Sequence, residues 1–214
     1  MRLYSRKMKR IIISTLLLCG LCIAAAAQGN ATLEQLRANM SNKSAVISYS
    51  YTLTASGVKT LGEGTITTQD KSYVMKGNGL RIYCNGMTLW VVDDSSKEIL
   101  IDSVSQGADA YLSNPVLLLA DLNSIFTIAQ PVKTGNSIVY KLSPKQSCGI
   151  SSGTVTVSVA DSNPVFTSGS FKMSDGGQLD IKIKSMTYSE KKPLTFYVLD
   201  LSGFDSSWMI TDLR

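Results

Sequence analysis

Apolar and polar residues alternate with a period of two along most of the chain, which is the pattern of half-buried β-strands. The clearest example is the segment 45–54, in which serine and threonine alternate with Ile47, Tyr49, Tyr51 and Leu53. Similar patterns predict strands at 61–68, 72–77, 80–84, 87–93, 97–101, 137–142, 153–159, 165–173 and 178–188, with a final one at 194–200. We therefore expect a mostly antiparallel sheet of about ten to eleven strands.

Glycine-containing dipeptides predict the turns between these strands. Asn85-Gly86 lies between two apolar strands and fits a two-residue turn with positive φ at both positions, so it predicts a tight hairpin. Asp175-Gly176 predicts a second turn, before the strand at 178–188. Gly62-Glu63-Gly64 lacks the Lys-Ser/Thr of a phosphate-binding loop and is typical of a bulge or a close approach of two backbones.

Two segments have helical spacing instead. Residues 31–42 repeat apolar side chains at Leu33, Leu36 and Met40. The dipeptide Asn114-Pro115 opens the run VLLLADLNSIF, in which asparagine can cap a helix and proline suits its first position. This second helix is so apolar that it must lie on an apolar surface. The elements predict an α+β fold, mainly antiparallel β, in which helices cover one face of the sheet.

The first 27 residues have the pattern of a secretory signal peptide. Five basic residues and no acid lie within the first ten positions, and residues 11–27 then carry no charge and end in four alanines. These flanks favour a signal peptide over an uncleaved anchor helix, although the apolar stretch approaches the lower limit for a membrane span. We expect cleavage near Ala27, which leaves residues 28–214 as a single domain that works outside the cytoplasm.

The two cysteines of this segment argue against a lipid anchor. A lipidated cysteine needs a small residue before it, whereas Leu18 precedes Cys19 and Leu21 precedes Cys22. The mature protein is therefore expected to be free of the membrane.

Removal of the signal peptide also changes the charge. The whole chain has 21 Lys and Arg against 16 Asp and Glu, and loss of the five basic residues leaves 16 of each. The mature domain is thus formally neutral, so its composition gives no support for nucleic-acid binding, which needs a basic face.

Few residues offer catalytic or metal-binding chemistry. The chain contains no histidine, which excludes Ser-His-Asp and Cys-His catalysis and disfavours zinc or copper sites. Asp93-Asp94 is the only adjacent acid pair, and its place after a strand is typical of a solvated turn. Cys84 and Cys148 could pair after export or remain as buried thiols. We expect neither an enzyme nor a bound cofactor.

Many apolar side chains of the predicted strands and of the second helix need burial. An ordinary core accounts for them, but a ligand cavity would be lined by the same residue types, and the pattern alone leaves both possibilities open.

Two stretches resemble the periplasmic outer-membrane lipoprotein carriers of the LolA type. The first runs from Gly62 to Asp93, with Gly62-x-Gly64 opening a strand and another apolar strand ending in Asn85-Gly86-x-Thr88-Leu89-Trp90. The second is Asn114-Pro115 followed by VLLLADL, which looks like the lid helix of that family. The chain end at 210–214, the signal peptide and the length agree, so the resemblance covers nearly all of residues 31–214.

The resemblance implies an incomplete, strongly curved antiparallel β-barrel with helices covering its concave face. It also implies an activity, since such proteins take acylated lipoproteins from an ABC transporter in the inner membrane. They shield the acyl chains in an apolar cavity and deliver them to an acceptor at the outer membrane. A periplasmic monomer that touches membrane surfaces only transiently is expected.

The resemblance further implies which residues form the cavity. Tyr73 and Met75 fall where the family has residues facing the cavity, the run 116–119 falls on the lid helix, and Leu36 and Met40 would face inward from the first helix. The expected lipid-binding set, with the apolar strand residues added, is Leu36, Met40, Tyr49, Tyr51, Tyr73, Met75, Ile82, Leu89, Val91, Val116, Leu117, Leu118 and Leu119.

One region departs from the family. Members commonly carry Arg-Pro after the second strand, where the arginine holds the lid shut, whereas this chain has Thr68-Gln69-Asp70-Lys71. The latch, meaning the contact that holds the lid shut, is therefore absent or rebuilt, and Lys71 is the candidate to replace the arginine. The alternative function on the same fold is an envelope lipid-binding sensor or regulatory module.

Overall fold

The structure is a computed structural model that describes residues 30–104, 122–159 and 163–214. Within these ranges helix α1 spans residues 30–42, and the four-residue helix α2 spans Leu122–Ile125. The predicted signal peptide and most of the predicted lid helix, including Val116, Leu117, Leu118 and Leu119, lie outside the described residues. No helix of the described ranges is long and apolar enough to cross a membrane.

All of the described strands belong to one large, curved, unclosed sheet. Its strand order is β13-β6-β5-β4-β3-β2-β1-β12-β11-β10-β9-β7, with β8 also paired to β9. Every pairing is antiparallel except that of β13 with β6. The strands are β1 Ser44–Ala55, β2 Val58–Gln69, β3 Ser72–Gly77, β4 Leu80–Cys84, β5 Thr88–Asp93, β6 Glu98–Ser103, β7 Phe126–Ile128, β8 Val132–Thr134, β9 Ser137–Pro144, β10 Ile150–Ser158, β11 Val165–Met173, β12 Gln178–Ser189 and β13 Met209–Asp212.

The predicted strands from 45–54 to 178–188 are all present, and β7, β8 and β13 are three short strands that the pattern did not reveal. The strand predicted at 194–200 is wrong, because this segment contains a 3-10 helix, Leu194–Tyr197. Bonds from Phe196 N to Pro193 O and from Val198 N to Thr195 O turn the backbone back on itself, so these groups cannot pair with a neighbouring strand.

The turn predicted at Asn85-Gly86 lies one residue further along the chain. Within this turn Gly86 has a positive φ, of 89°, and Asn85 does not. The closing bond joins Asn85 N to Thr88 O, so Gly86 and Met87 are the central residues. Asn85 instead accepts bonds from the Met87 and Thr88 amides through its side-chain oxygen. Two successive positive φ values occur at Asn78-Gly79, the turn between β3 and β4, where asparagine and glycine suit that geometry.

The concave face of the sheet carries the larger hydrophobic core. Leu33, Leu36 and Met40 of α1 lie in one buried cluster with side chains from strands in both halves of the strand order. Among these are Ile47 of β1 and Tyr140 of β9. Because α1 contributes its whole apolar face to this cluster, it is seated on the concave face, as the helical spacing of residues 31–42 predicted.

A second, smaller core lies on the opposite, convex face. Trp90 and Val92 of β5 pack there with Ile99 and Ile101 of β6 and with Leu199 of the C-terminal segment. The partly buried rings of this core are Tyr83, Phe204 and Trp208. The C-terminal segment therefore covers the convex face over β4–β6, whereas the sequence analysis placed covering elements on one face of the sheet only.

Buried tyrosines predict a loss of stability at high pH. Burial raises the pKa of Tyr140 to about 12 and that of Tyr188 to about 12, and it raises the pKa of Tyr73 as well. Between pH 10 and 12 the folded protein keeps these protons while the unfolded chain releases them, so the free energy of unfolding should fall as the pH rises, by up to about 1.4 kcal/mol per pH unit for each group.

Denaturant unfolding measured from pH 8 to pH 12 tests this expectation. Tyr140→Phe should flatten the decline, and its stability at pH 8 separates any packing effect from the titration. An equally steep decline in Tyr140→Phe would contradict the assignment.

Candidate functional site

The concave face is divided along its strands into a sealed part and a more open part. Side chains near one end, such as Ala45, Ile47, Tyr73 and Cys84, are fully buried. Toward the other end the inward-facing apolar side chains of β12, β1 and β3–β5 are only half-buried, whereas those of β9–β11, such as Leu142 and Phe171, remain buried. We call this part the open half and define it by Tyr49, Tyr51, Leu53, Met75, Ile82, Val91, Leu179, Ile181 and Ile183.

Strand register brings the open half together. Ile82 pairs with Met75 on one side and with Val91 on the other, so the three side chains share a face. Tyr49 pairs with Ile183, and Tyr51 pairs with Ile181. The result is a contiguous apolar surface that runs across β12, β1 and β3–β5.

The predicted site residues occupy three kinds of environment. Leu36 and Met40 are buried between α1 and the sheet, and Tyr73 is buried beside Cys84, so these three belong to the sealed core. Leu89 pairs with Cys84 and is half-buried at the border of the sealed part. The other described members of the set are Tyr49, Tyr51, Met75, Ile82 and Val91, and they line the open half.

Strand β12 supplies site residues that the sequence analysis did not single out. Leu179, Ile181 and Ile183 pack against the large core from the centre of the sheet. Their period of two was visible in the sequence, but a β-bulge opposite Ser48 and Tyr49 shifts the alternation before Met186. The alternation of Leu179, Ile181 and Ile183 with charged residues could have identified the first part of the inward set, but not the shift at the bulge.

Glycines opposite the two tyrosines explain how the rings fit. Tyr49 pairs with Gly64 and Tyr51 pairs with Gly62, and each ring lies across the neighbouring strand. A Cβ on Gly64 would lie 2.6 Å from the Lys76 carbonyl oxygen and 3.0 Å from the Tyr49 hydroxyl. The prediction of a close approach at Gly62-Glu63-Gly64 is confirmed, since there is no room for a larger residue.

The polar groups suspected from the sequence have structural partners. Asp93 accepts bonds from the Ser95 hydroxyl and from the Ser95 and Ser96 amides, and these bonds lower the pKa of its carboxyl group. Asp94 forms an ion pair with Arg81, so the two carboxylates have different partners and do not face one shared site. Cys84 and Cys148 are both free and buried, and burial raises the pKa of the Cys84 thiol.

The region of the expected latch is tied to the C-terminal segment. Gln69 is buried and makes two bonds with the backbone of Lys192: its Nε2 donates to the Lys192 carbonyl oxygen, and its Oε1 accepts from the Lys192 amide. Asp70 pairs with Lys191 at 2.9 Å. Lys71, the expected replacement for the arginine, is exposed, and Gln69 makes the buried contacts of this turn.

A cavity of about 530 Å³ that opens to solvent lies between the first turns of α1 and strand β7, and its polar lining residues are exposed. Its apolar lining comes from Leu33, Phe126 and Ile128, all of which belong to or pack against the large core. Its polar lining residues are Asn30, Glu34, Asn123, Thr127 and Lys145.

These features define a class of protein: an unclosed, curved antiparallel sheet with a helix on its concave face and an apolar surface that is only partly covered. No family model matches the chain, and no curated protein matches its sequence. Solved structures of similar fold do exist, at low sequence identity.

Three of these structures cover most of this chain. A LolA superfamily protein from Nitrosomonas europaea is 12% identical, with a TM-score of 0.46 over 80% of this chain and 97% of that one. A DUF1329 family protein from Desulfovibrio piger is 11% identical, with a TM-score of 0.48 over 85% and 99%. A putative outer membrane lipoprotein-sorting protein domain from Vibrio parahaemolyticus is 10% identical, with a TM-score of 0.43 over 80% and 97%.

Proposed function

We propose that this protein is a periplasmic carrier that shelters the acyl chains of lipoproteins and delivers them from the inner to the outer membrane. The observation that carries the proposal is the open half of the concave face. Its side chains are apolar and half-buried, and they continue from a sealed core that holds the surface in shape. A surface of this kind suits a flexible hydrocarbon chain better than a polar ligand.

The physical requirement on such a carrier is a balance of affinities. Burial of each acyl CH₂ group is worth about 0.8 kcal/mol, so a lipoprotein with several chains would remain on any membrane it met. A carrier must offer comparable shelter without exceeding the affinity of the receiver. A surface whose side chains are only partly covered in the empty protein suits this, because binding adds burial without first unfolding the sealed core.

The partners follow from the same proposal. An ABC transporter of the inner membrane would load the carrier, and an acceptor at the outer membrane would unload it. The formal neutrality of residues 28–214 fits brief contacts with membrane surfaces, since it provides no general attraction to anionic lipid.

Binding of a hydrophobic fluorescent probe tests the proposal directly. The protein purified after export should bind the probe, and a triacylated peptide should displace it. Failure of a folded sample to bind the probe would exclude the carrier function. Transfer of the bound peptide to vesicles should then follow, whereas stable binding without transfer would favour a sensor on the same fold.

A substitution within the open half should weaken binding. Ile82→Thr places a hydroxyl group on the apolar surface between Met75 and Val91, and we expect the probe to bind about fivefold more weakly, with the overall fold retained. Val46→Thr is the matched control, because Val46 is exposed and points to the opposite face from Ile47. Equal effects of the two substitutions would show that the open half is not the binding surface.

A further inference from the structure

The cavity beside α1 lies in line with the open half. Ile128, which lines the cavity, pairs with Leu142 of β9, and the row continues through Gly153, Phe171 and Leu179 to Leu53 at the end of β1. Paired residues on adjacent strands share one face and one level of the sheet. The cavity therefore lies at the same end of the strands as the open half.

Lys145 and Glu34 both line this cavity, and no ion pair joins them within the described residues. The Lys145 ammonium group donates a hydrogen bond to the backbone carbonyl of Asn123. The side-chain amide of Asn123 donates in turn to the Glu34 carboxylate, at 3.4 Å. Since an ammonium group has three protons, Lys145 can still donate to a ligand while it holds this position.

The Glu34 carboxylate offsets the Lys145 ammonium group, so the cavity lining has no net positive charge that would attract an anion. It forms a long ion pair with Arg37, at 4.0 Å, between two largely exposed side chains, and such pairs are weak. An anionic head group that reached Lys145 would come close to this carboxylate. A neutral group that accepts hydrogen bonds would meet no such repulsion.

We infer that this cavity holds the carbonyl groups of the ester and amide bonds that join acyl chains to their carrier molecule. Lys145 donates to an ester carbonyl, while Leu33, Phe126 and Ile128 cover the first methylene groups of the chain. The inference rests on the proposed function, and it states which chemical group of the cargo the protein recognises. It predicts discrimination by the linkage, which the apolar open half cannot provide.

The test compares two lipopeptides with the same chains. One is a triacylated lipopeptide, and the other has ether bonds in place of its glycerol esters. Lys145→Met should weaken binding of the ester form about tenfold, the expected effect of losing one hydrogen bond from a charged donor, with binding of the ether form and of the fluorescent probe unchanged within twofold. Lys141→Met is the matched control on the exposed face of β9 and should change neither.

A diacylglycerol measured in parallel identifies the source of the ester groups. Loss of affinity for both diacylglycerol and lipopeptide would assign recognition to the glycerol esters, and loss for the lipopeptide alone would assign it to the linkage as presented on the peptide. Equal weakening of ester and ether forms, or no effect on either, would overturn the inference while leaving the carrier function intact. Absence of binding by the unsubstituted protein would overturn both.

Glu34→Gln provides a second, independent readout. It removes the negative charge and retains the group that accepts from Asn123, so a long-chain fatty acid anion should bind several-fold more tightly than it does to the unsubstituted protein. An unchanged fatty-acid affinity would show that Glu34 does not exclude anions.

Discussion

Gly153→Val is expected to lower the free energy of unfolding by about 3 kcal/mol, even though valine is a better strand residue than glycine. Gly153 is buried in β10 opposite Phe171 of β11, and a Cβ there would lie 2.8 Å from the aromatic ring. Gly169 meets the same ring, at 2.9 Å. The ring thus lies flat across two glycines, and any side chain at either position must displace a fully buried group.

A double-mutant cycle separates this steric effect from general damage. Phe171→Ala alone should cost about 3–5 kcal/mol, but the cost of adding Gly153→Val to it should be much smaller, because the ring is no longer present. Gly203→Ala is the control, since a Cβ at Gly203 meets nothing within 4 Å and should change the stability little. Strict additivity of Gly153→Val and Phe171→Ala in denaturant unfolding would contradict the described packing.

Leu36→Ala should cost about 2–5 kcal/mol and should also increase the binding of the hydrophobic probe. Leu36 is 0% exposed and anchors the middle of α1 on the concave face. Its truncation leaves an apolar cavity that the sheet cannot collapse to fill, because the surrounding strands are held by their own hydrogen bonds. Such a cavity offers additional room to a hydrocarbon ligand.

Ser41→Ala is the control for this effect, since Ser41 lies on the exposed side of the same helix. Its free energy of unfolding and its affinity for the probe should both be close to those of the unsubstituted protein. Loss of stability in Leu36→Ala without any gain in probe binding would indicate that the region beneath α1 is closed to ligands.

The sheet could be predicted because its signal is local. The strands predicted at 72–77 and 165–173 have the same limits as β3 and β11. Their alternation and their flanking turn residues are both encoded within a few positions of the sequence. The turn at Gly86 could not be placed exactly, because Asn85 can either adopt a positive φ or bond to the next two amides through its side chain, and both are common for asparagine.

The non-local features were beyond the sequence pattern. The parallel pairing of β13 with β6 joins segments more than a hundred residues apart, and all four residues of β13 are exposed, so no alternation marks it. The candidate site was predictable as a set of apolar strand residues. Which of them are sealed, like Tyr73, and which are half-buried, like Ile82, is decided by tertiary packing on the concave face, which no local pattern encodes.

The strand order of the sheet begins with β13 and ends with β7, and the sheet does not close. A closed barrel has a fixed circumference, since widening it would break a complete ladder of backbone hydrogen bonds. Here the two borders, β13 and β7, are not joined by a ladder, so a change in their separation breaks no backbone bond between them. The packing of α1 and of the large core on the concave face sets how far they can separate, and a closed barrel would add the cost of its closing bonds.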